Sequence, residues 1–253
     1  MFANDFLYRI YERRLLREIN PHQIPHHVGI ILDGNRRWAK ALGTSAAHGH
    51  RRGADHISEV LGWVQEAGVF IVTLWMLSTE NLQRSAKEIR ELLAIIVGAV
   101  EHLAKNPSWQ IRILGDLELL PQDAAHALRT AASKTEGHTG MVVNVAIGYG
   151  GRQEITRAVQ DYLREQAASG ASLEDVAQSI SVDAITNHIY TKGQPDPDLI
   201  IRTSGEQRMS GFMLWQTVHT ELYFCETYWP DFRRIDFLRA LRDFSVRERR
   251  KGK

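Results

Sequence analysis

Six short apolar runs, separated by longer amphipathic stretches, most strongly limit how this chain of 253 residues can fold. Most of the runs are continuously apolar rather than alternating, which is typical of strands buried on both faces of a parallel sheet. Strands that alternate with helices predict an α/β fold in which a mostly parallel central sheet is flanked by helices. The predicted strands are HVGIIL (27–32), FIVTLWML (70–77), QIRIL (110–114), MVVNVAI (141–147), DLIIRT (198–203) and TELYF (220–224).

The rest of the composition indicates an ordinary globular protein. We find no internal repeat and no low-complexity linker, so we expect a single domain over residues 1–253. The formal net charge is +1, and the basic tail RERRKGK has no interleaved aromatic residues, so we predict no nucleic-acid partner. The one cysteine, Cys225, cannot form an internal disulfide and indicates a reducing, cytoplasmic setting.

Residues 1–24 predict an N-terminal amphipathic helix. Phe6 and Ile10, like Leu7 and Tyr11, are spaced by four, and arginines lie between them. The interpretation we prefer is that this helix packs on its own domain, and the alternative is that it contacts a membrane surface. No apolar run approaches the roughly 20 residues that a membrane-spanning helix needs, so such a contact would be peripheral.

Polar clusters rich in arginine follow four of the predicted strands. They read DGNRRW after the first strand, STENLQR after the second, GYGGR after the fourth and RTSGEQRMS after the fifth. In open α/β sheets, ligands bind beyond the carboxyl ends of the strands. Arginine forks and backbone amides freed by glycine match phosphate oxygens, so the clusters predict a site for more than one phosphate, or for diphosphates.

Asp33 is the carboxylate of the first cluster, and two roles are open for it. It could hold Mg²⁺, which binds through one or two carboxylates together with substrate phosphates. It could instead cap the helix that follows. The absence of GxxxxGK[ST], of GxGxxG after the first strand and of DDxxD excludes Walker-type nucleotide sites, makes a dinucleotide-binding fold improbable, and excludes the paired aspartates of all-helical prenyl synthases.

Five successive segments of the chain resemble the signature motifs of one enzyme family. HVGIILDGNRRWA, LSTENLQR, NVAIGYGGR, DLIIRTSGEQRMSGFMLWQ and TELYF followed by YWPDF are similar to the motifs of the cis-prenyltransferases, the undecaprenyl diphosphate synthase family. The resemblance runs from about residue 27 to 250, in the family's order. It implies a homodimer with a hydrophobic tunnel between sheet and helices, and an Mg²⁺-dependent condensation of isopentenyl diphosphate with an allylic diphosphate that creates a cis double bond.

The resemblance also implies roles for individual residues. Asp33 would be the essential aspartate and a magnesium ligand, Glu221 the second magnesium ligand, and Asn81 the proton-accepting position. The DGNRR segment would cradle the allylic diphosphate, and Arg202 with its following loop would bind isopentenyl diphosphate. The implied substrate-binding positions are Gly34, Asn35, Arg36, Arg37, Trp38, His50, Ser78, Thr79, Glu80, Leu82, Arg84, Arg202, Arg208, Met209 and Ser210.

The sequence departs from the family pattern in ways that bear on product length. Ala46 stands where long-chain members carry an arginine, and bulky Trp75, Met76 and Leu77 are expected to floor the tunnel. The run LLAIIVGAV (92–100) is apolar all round, so its helix either packs in the core or lines a hydrophobic cavity. These features resemble the actinobacterial short-chain members that make (2Z,6E)-farnesyl diphosphate.

We therefore expect a cis-prenyltransferase that extends geranyl diphosphate by one isopentenyl unit. Three alternatives stay open: an irregular head-to-middle synthase of the lavandulyl type, a long-chain polyprenyl diphosphate synthase, and a non-catalytic partner subunit. The last is disfavoured because such subunits typically lose the aspartate motif, whereas Asp33, Asn81 and Arg202 are all present.

Overall fold

The computed structural model describes residues 2–247. Its centre is a six-stranded sheet in which every pair of neighbours is parallel, in the order β3-β4-β2-β1-β5-β6. The prediction of an α/β fold with a parallel sheet is confirmed. The strands are β1 (His27–Ile31), β2 (Ile71–Ser78), β3 (Trp109–Leu114), β4 (Met141–Tyr149), β5 (Leu199–Arg202) and β6 (Glu221–Phe224).

Helices lie in every connection between consecutive strands except the one from β5 to β6, which is formed of turns. Short 3₁₀ turns lie at Glu80–Gln83, Leu117–Leu119 and Trp229–Asp231. Within residues 2–247, no helix combines the length and the apolar character that crossing a membrane would require. The helices are α1 (Phe2–Glu18), α2 (Asn35–Ala41), α3 (Ala46–Glu66), α4 (Ala86–Leu103), α5 (Gln122–Ser133), α6 (Gly151–Ala168), α7 (Leu173–Ser179), α8 (Val182–Thr186) and α9 (Arg234–Val246).

Both faces of the sheet are buried, which explains the continuously apolar strands. Alternate residues of a strand point to opposite faces. In β1, Ile30 belongs to a large apolar cluster that α3, α4, α5 and α9 complete, whereas its neighbour Ile31 belongs to a second cluster. That second cluster includes Phe212 and Met213, which lie in the connection between β5 and β6. The connection therefore covers part of one sheet face as a helix would.

The side of the sheet where the parallel strands begin, called here its amino edge, holds a buried network of neutral polar side chains. The ring of His27 is fully buried, and its Nδ1 lies 2.8 Å from the carbonyl oxygen of Pro195. Its Nε2 lies 2.7 Å from the hydroxyl of Thr73, which also accepts a hydrogen bond from Asn144 at 3.0 Å. Gln194 exchanges two hydrogen bonds with Asn144. Burial lowers the pKa of His27 to about 4, so the imidazole is neutral at neutral pH.

The N-terminal helix packs along α9. Leu15 is fully buried, and the hydroxyl of Tyr11 accepts a hydrogen bond from Nε of Arg239 at 3.1 Å. The helix ends at Glu18, six residues before the bound expected from the sequence. Met1, the side chain of Phe6 and residues 248–253 of the basic tail lie outside the described part of the chain.

Candidate active site

The carboxyl ends of β1, β2 and β5 open into one cavity of about 670 Å³. Three of the four predicted polar clusters contribute to its wall, because the strands that precede them are neighbours in the sheet. The GYGGR cluster follows β4 and lies outside this wall. The predicted site residues that line the cavity are Asp33, Gly34, Asn35, Arg36, Arg37, His50, Ser78, Glu80, Asn81, Arg84, Arg202, Arg208 and Ser210.

A left-handed glycine turns the chain from β1 into α2 and presents Asp33 to the cavity. Gly34 has φ 106°, and a Cβ atom at this position would lie 2.7 Å from the ring of Tyr228. Only glycine therefore fits here. Gly34 is the N-cap of α2 without any capping side chain, so the alternative that Asp33 caps this helix is wrong.

Asp33 is the centre of a charge network that joins β1 to the connection after β5. Its Oδ2 lies 2.8 Å from Nη2 of Arg202 and 3.3 Å from Nη2 of Arg37. Burial disfavours the charged carboxylate, but the hydrogen bond and charge of Arg202 outweigh it and hold the pKa of Asp33 below its usual value. Asp33 is therefore ionised at neutral pH, and it lines the cavity.

Glu206 was missed by the sequence reasoning, although it lies within the predicted RTSGEQRMS cluster. Its carboxylate pairs with Nη1 of Arg37 at 2.9 Å and with the guanidinium of Arg208. The signal that could have found it is a carboxylate placed between arginines in a segment expected to bind phosphate. Its position holds two arginines at the cavity in the absence of a ligand anion.

A second group of cations lies where β2 ends. Nη1 of Arg84 is 3.2 Å from Oε1 of Glu88, and Nη1 of Arg36 is 3.7 Å from the same oxygen. Burial and the charge of Arg36 lower the pKa of Arg84. Two guanidiniums therefore share one carboxylate, which leaves positive charge available for an anion.

His50 faces the same cavity from α3. Its Nε2 is buried and has no hydrogen-bond partner within the described residues. Burial, and then the charge of Arg84, lowers the pKa of His50 to about 4. The imidazole is thus neutral at neutral pH, and its free nitrogen points to a ligand that the cavity receives.

Four predicted substrate-binding residues lie away from the cavity wall. Trp38 stacks on the ring of His48 at 5.8 Å, and Leu82 packs against the large apolar cluster. Met209 packs against the second cluster, and the hydroxyl of Thr79 is buried without a hydrogen-bond partner within the described residues. Their predicted contacts with substrate stay predictions.

The structure does not bring Glu221 together with Asp33 in one chain. Glu221 begins β6, where it pairs in register with Leu199, and its carboxylate contacts the guanidinium of Arg247. Leu199 lies three residues before Arg202, or roughly 10 Å along a strand. The two predicted magnesium ligands therefore lie toward opposite edges of the sheet, and the role of Glu221 in metal binding stays a prediction.

The residues around Asp33 fit a metal ion only if the substrate supplies further ligands. Within residues 2–247, no group of three or more His, Cys, Asp or Glu side chains is arranged to hold a metal ion. Mg²⁺ is commonly bound in this way, through one or two carboxylates and the oxygens of a phosphorylated substrate. Asp33, ionised and facing the arginines of the cavity, fits that arrangement.

The cavity has an apolar end between the sheet and two helices. Met76 and Leu92 line both the main cavity and a narrow extension of about 40 Å³, which Ile96 and Trp229 continue. Leu92 and Ile96 are also buried in the large cluster, so α4 both packs in the core and lines this cavity. Trp75 and Leu77 also line the main cavity, and the ring of Trp75 stacks on that of Phe212 at 5.2 Å in the second cluster.

Charge at one end and apolar side chains at the other match a ligand with a diphosphate head and a hydrocarbon tail. The fold and the site therefore define an enzyme of the class that acts on hydrocarbon groups carried by diphosphates. Comparisons with known proteins agree. A family model described as undecaprenyl diphosphate synthase matches residues 31–252.

Similar proteins cover nearly the whole chain. "(2Z,6E)-farnesyl diphosphate synthase" from Thermobifida fusca is 54% identical, over 97% of this chain and 97% of its own length. "Isoprenyl transferase 1" from Streptomyces avermitilis is 53% identical, over 97% of this chain and 96% of its own. The chain belongs to the undecaprenyl diphosphate synthase family and is a prenyltransferase of isoprenoid biosynthesis, as its motifs predicted.

A solved structure supports the same fold. The lavandulyl diphosphate synthase from Lavandula x intermedia, crystallised with dimethylallyl diphosphate, superposes with a TM-score of 0.85 at 32% identity. The superposition covers 92% of this chain and 100% of that one.

Proposed function

We propose that this prenyltransferase joins one isopentenyl diphosphate to geranyl diphosphate and releases (2Z,6E)-farnesyl diphosphate. The observation that carries the proposal is the short apolar end of the cavity, where Met76 and Leu92 leave an extension of about 40 Å³. That space holds no more than about three water molecules, so a tail that lengthens past Met76 and Leu92 would have to displace side chains. The name and the 54% identity of the Thermobifida fusca relative support a short product.

The two diphosphates would contact two different pairs of arginines in the cavity. The allylic diphosphate would contact the backbone of Gly34 and the guanidiniums of Arg36 and Arg37, at the start of α2. The diphosphate of isopentenyl diphosphate would contact Arg202 and Arg208. In the described structure these arginines contact Asp33, Glu88 or Glu206, so the bound diphosphates would replace or supplement carboxylates that already match their charge.

The reaction makes one carbon–carbon bond and breaks one carbon–oxygen bond. The terminal olefin carbon of isopentenyl diphosphate attacks C1 of the allylic substrate, the allylic diphosphate leaves with the electron pair, and a proton is lost from C2. Arginines placed at the leaving oxygen stabilise the charge that develops there. Asn81 lies in the 3₁₀ turn after β2 and lines the cavity, and we assign it to the step that removes the proton.

We propose Mg²⁺ as the cofactor, held by Asp33 together with substrate phosphates. The chemistry it supplies when bound is neutralisation of charge on the leaving diphosphate. Arg202 and Arg37 hold the Asp33 carboxylate in position at 2.8 and 3.3 Å. Their contacts orient the carboxylate toward the cavity before any substrate enters.

Product analysis tests this function. The purified protein is incubated with Mg²⁺, isopentenyl diphosphate and, separately, dimethylallyl, geranyl or farnesyl diphosphate, and the dephosphorylated products are sized. A C15 product with a cis double bond from geranyl diphosphate is expected. Products of C50 or longer would contradict the short-chain assignment, and unchanged turnover in excess EDTA would contradict the metal assignment.

A second candidate is irregular, head-to-middle coupling of dimethylallyl units. Two observations favour it: the superposition on a lavandulyl diphosphate synthase, and Ala46 in place of the family's arginine. The lower identity of that protein, 32% against 54%, places it second. A branched C10 product from dimethylallyl diphosphate alone would establish it.

We also propose that the enzyme is a homodimer, as its motifs imply. The outer strand β6 is only half-buried, so its edge is open to a partner, and Val218 beside it is 74% exposed. Light scattering after size exclusion should give twice the mass of the 28.8 kDa chain. A mass equal to one chain would contradict the proposal.

The solvent face of α1 supports a peripheral membrane contact in a cytoplasmic enzyme. Leu7, Ile10 and Leu16 are 62, 49 and 47% exposed on this helix. Arg9 and Arg17 on this helix are also exposed, and neither has an ion pair to any residue of 7–247. Exposed apolar and cationic side chains on the same helix fit an anionic membrane surface. Co-sedimentation with phosphatidylglycerol vesicles but not with phosphatidylcholine vesicles is expected, and equal recovery would contradict it.

A further inference from the structure

The connection between β5 and β6 is held in a strained conformation. We call residues 203–217 the diphosphate loop, since Arg208 and Ser210 line the cavity. Three of its non-glycine residues have left-handed φ angles: Ser204 at 85°, Ser210 at 51° and Met213 at 49°. Such conformations are unfavourable for residues with a Cβ atom and persist where the surroundings fix them. Something outside the loop must therefore hold it.

The GYGGR segment after β4 supplies those contacts. The hydroxyl of Tyr149 accepts a hydrogen bond from the backbone N–H of Met213 at 3.1 Å and donates one to Oε2 of Glu154 at 2.5 Å. The N–H of Gly151 donates to the carbonyl oxygen of Gly211 at 2.9 Å. The segment thus contacts the loop immediately after the residues that line the cavity, although it lies outside the cavity itself.

Glu154 is a buried carboxylate that is satisfied by neutral donors. It is 1% exposed and forms no ion pair within residues 2–247. Besides the Tyr149 hydroxyl, it accepts the N–H of Tyr190 at 3.0 Å and Nε2 of Gln216 at 3.2 Å. Burial raises the pKa of Glu154. Burying a carboxylate without a cationic partner costs folding free energy, so the presence of Glu154 needs a reason beyond packing.

The reason lies in the direction of the hydrogen bonds. The Tyr149 hydroxyl donates to the Glu154 carboxylate and keeps its lone pairs free for the N–H of Met213. A glutamine in the same place could donate instead, and the direction would no longer be fixed. Glu154 therefore orients the one hydroxyl that pairs with the strained residue Met213. Through Gln216 it also contacts the far end of the diphosphate loop.

The loop in turn positions the arginine at the end of β5. Nη1 of Arg202 donates to the hydroxyl of Ser210 at 2.9 Å and to the carbonyl oxygen of Arg208. Its Nη2 donates to Asp33 at 2.8 Å. A contiguous set of contacts thus joins Glu154 to the cation group assigned to isopentenyl diphosphate.

We propose that Glu154 and Tyr149 are positioning residues that hold the diphosphate loop in the shape that binds isopentenyl diphosphate. The proposal rests on the function proposed above, which assigns that substrate to Arg202 and Arg208. The allylic side of the cavity contacts only the start of the loop, where Ser204 and Glu206 pair with Arg37, whereas Tyr149 and Glu154 contact the loop at Met213 and Gln216. The two substrates should therefore respond differently when these contacts are removed.

Kinetics of three variants test the proposal. Tyr149→Phe deletes the hydroxyl but keeps the ring, and Glu154→Gln keeps the shape but not the acceptor-only character. Tyr162→Phe is the matched control, because this buried α6 hydroxyl pairs with Ser179 at 2.7 Å and not with the loop. With each substrate varied at saturation of the other, the KM for isopentenyl diphosphate should rise about tenfold in both test variants, and the allylic KM should change less than about twofold.

Two further readouts separate positioning from general destabilisation. The double variant Tyr149→Phe/Glu154→Gln should raise the KM for isopentenyl diphosphate no more than the worse single variant, because both act through one hydroxyl. Circular dichroism should show the same fold in all variants. Equal effects on both substrates, additive effects in the double variant, or equal effects in Tyr162→Phe would overturn the proposal.

The same proteins distinguish this proposal from the proposed function. If the wild-type chain turns over none of the allylic substrates with isopentenyl diphosphate, the proposed function fails. Calorimetric titration with inorganic pyrophosphate then tests the loop alone. Weaker binding in Tyr149→Phe than in Tyr162→Phe would support positioning, and equal binding would overturn it.

Discussion

The two edges of the central sheet show how one set of strands can serve two purposes. At the amino edge, His27, Thr73 and Asn144 are fully buried, neutral and hydrogen-bonded. At the carboxyl edge, Asp33 and Arg37 form a partly exposed ion pair within a cavity of about 670 Å³. The strand β1 connects the two, with His27 at its start and Asp33 two residues after its end.

The difference separates the residues that stabilise the fold from those that serve the reaction. Buried neutral groups that are all satisfied fix the register of neighbouring strands. Charges that share partners, as Arg36 and Arg84 share Glu88, are ready to exchange those partners for a ligand. Substitutions at the carboxyl edge should therefore alter turnover more than folding, and those at the amino edge the reverse.

The largest expected effect is at Asp33. Asp33→Ala removes the carboxylate that holds Arg202 and the proposed metal ion, so kcat/KM should fall by roughly a thousandfold. Steady-state kinetics and circular dichroism measure activity and fold in parallel. Asp116→Asn is the control, since this carboxylate also follows a strand but pairs with Arg157 outside the cavity. Turnover close to wild type in Asp33→Ala would contradict the assignment of Asp33 as a metal ligand. It would also contradict the proposed division of roles between the two edges.

The amino edge should show its role in the pH dependence of unfolding. The pKa of His27 is about 4 in the folded chain and about 6.5 when unfolded, so the unfolded state binds more protons between these values. Stability should therefore fall as pH drops from 6.5 to 4, by about 3 kcal/mol from this group.

Denaturant unfolding across that pH range measures the effect. His27→Gln should flatten the profile, whereas His22→Gln, at an exposed position, should leave it unchanged. An unchanged slope in His27→Gln would show that other groups control acid stability.

The apolar end of the cavity is expected to set product length. Met76→Ala enlarges the extension beyond Leu92, so products longer than C15 should appear in the assay described above. Met141→Ala removes the same side chain from the start of β4, outside the cavity, and should leave the product unchanged. A C15 product from Met76→Ala would place the limit elsewhere, with Ile96 as the next candidate.

The smallest expected effect compares two histidines that share a lowered pKa. The pKa of both His27 and His50 is lowered to about 4 by burial. An anion bound beside Arg84 should raise the pKa of His50 by about one unit and leave that of His27 unchanged. NMR titration of the imidazole signals with and without pyrophosphate measures both. A shift at His27, or none at His50, would contradict the placement of the ligand.

The strands and most of the cavity wall could be predicted from the sequence because both depend on local patterns. Continuously apolar runs located the strands within one or two residues, and parallel pairing then brought the following polar segments to one edge. The same reasoning from parallel strands could have placed Glu221. It is the first residue of its strand, whereas Asp33 follows one, so parallel strands hold the two residues at opposite edges.

Other features depend on contacts between distant segments and leave no local pattern. Arg37 and Glu206 are 169 residues apart, and Glu154 and Gln216 are 62 apart. GYGGR was expected to help bind phosphate, but β4 is separated from β1 by β2, and the segment faces the back of the diphosphate loop instead. Strand order decides which polar groups contact each other. The pattern of apolar residues does not specify that order.

Glu206 has a consequence for the selection of substrates. Its carboxylate occupies Arg37 and Arg208 together, so an incoming anion must compete with an internal counter-ion already held in place. A monoanion such as chloride or a lone carboxylate gains little by this exchange, because it replaces a charge equal to its own. Diphosphates carry more charge, and the two proposed above would each take one of these arginines, the allylic diphosphate Arg37 and isopentenyl diphosphate Arg208. Glu206 is therefore expected to favour polyanions over monoanions before the site discriminates between hydrocarbon tails.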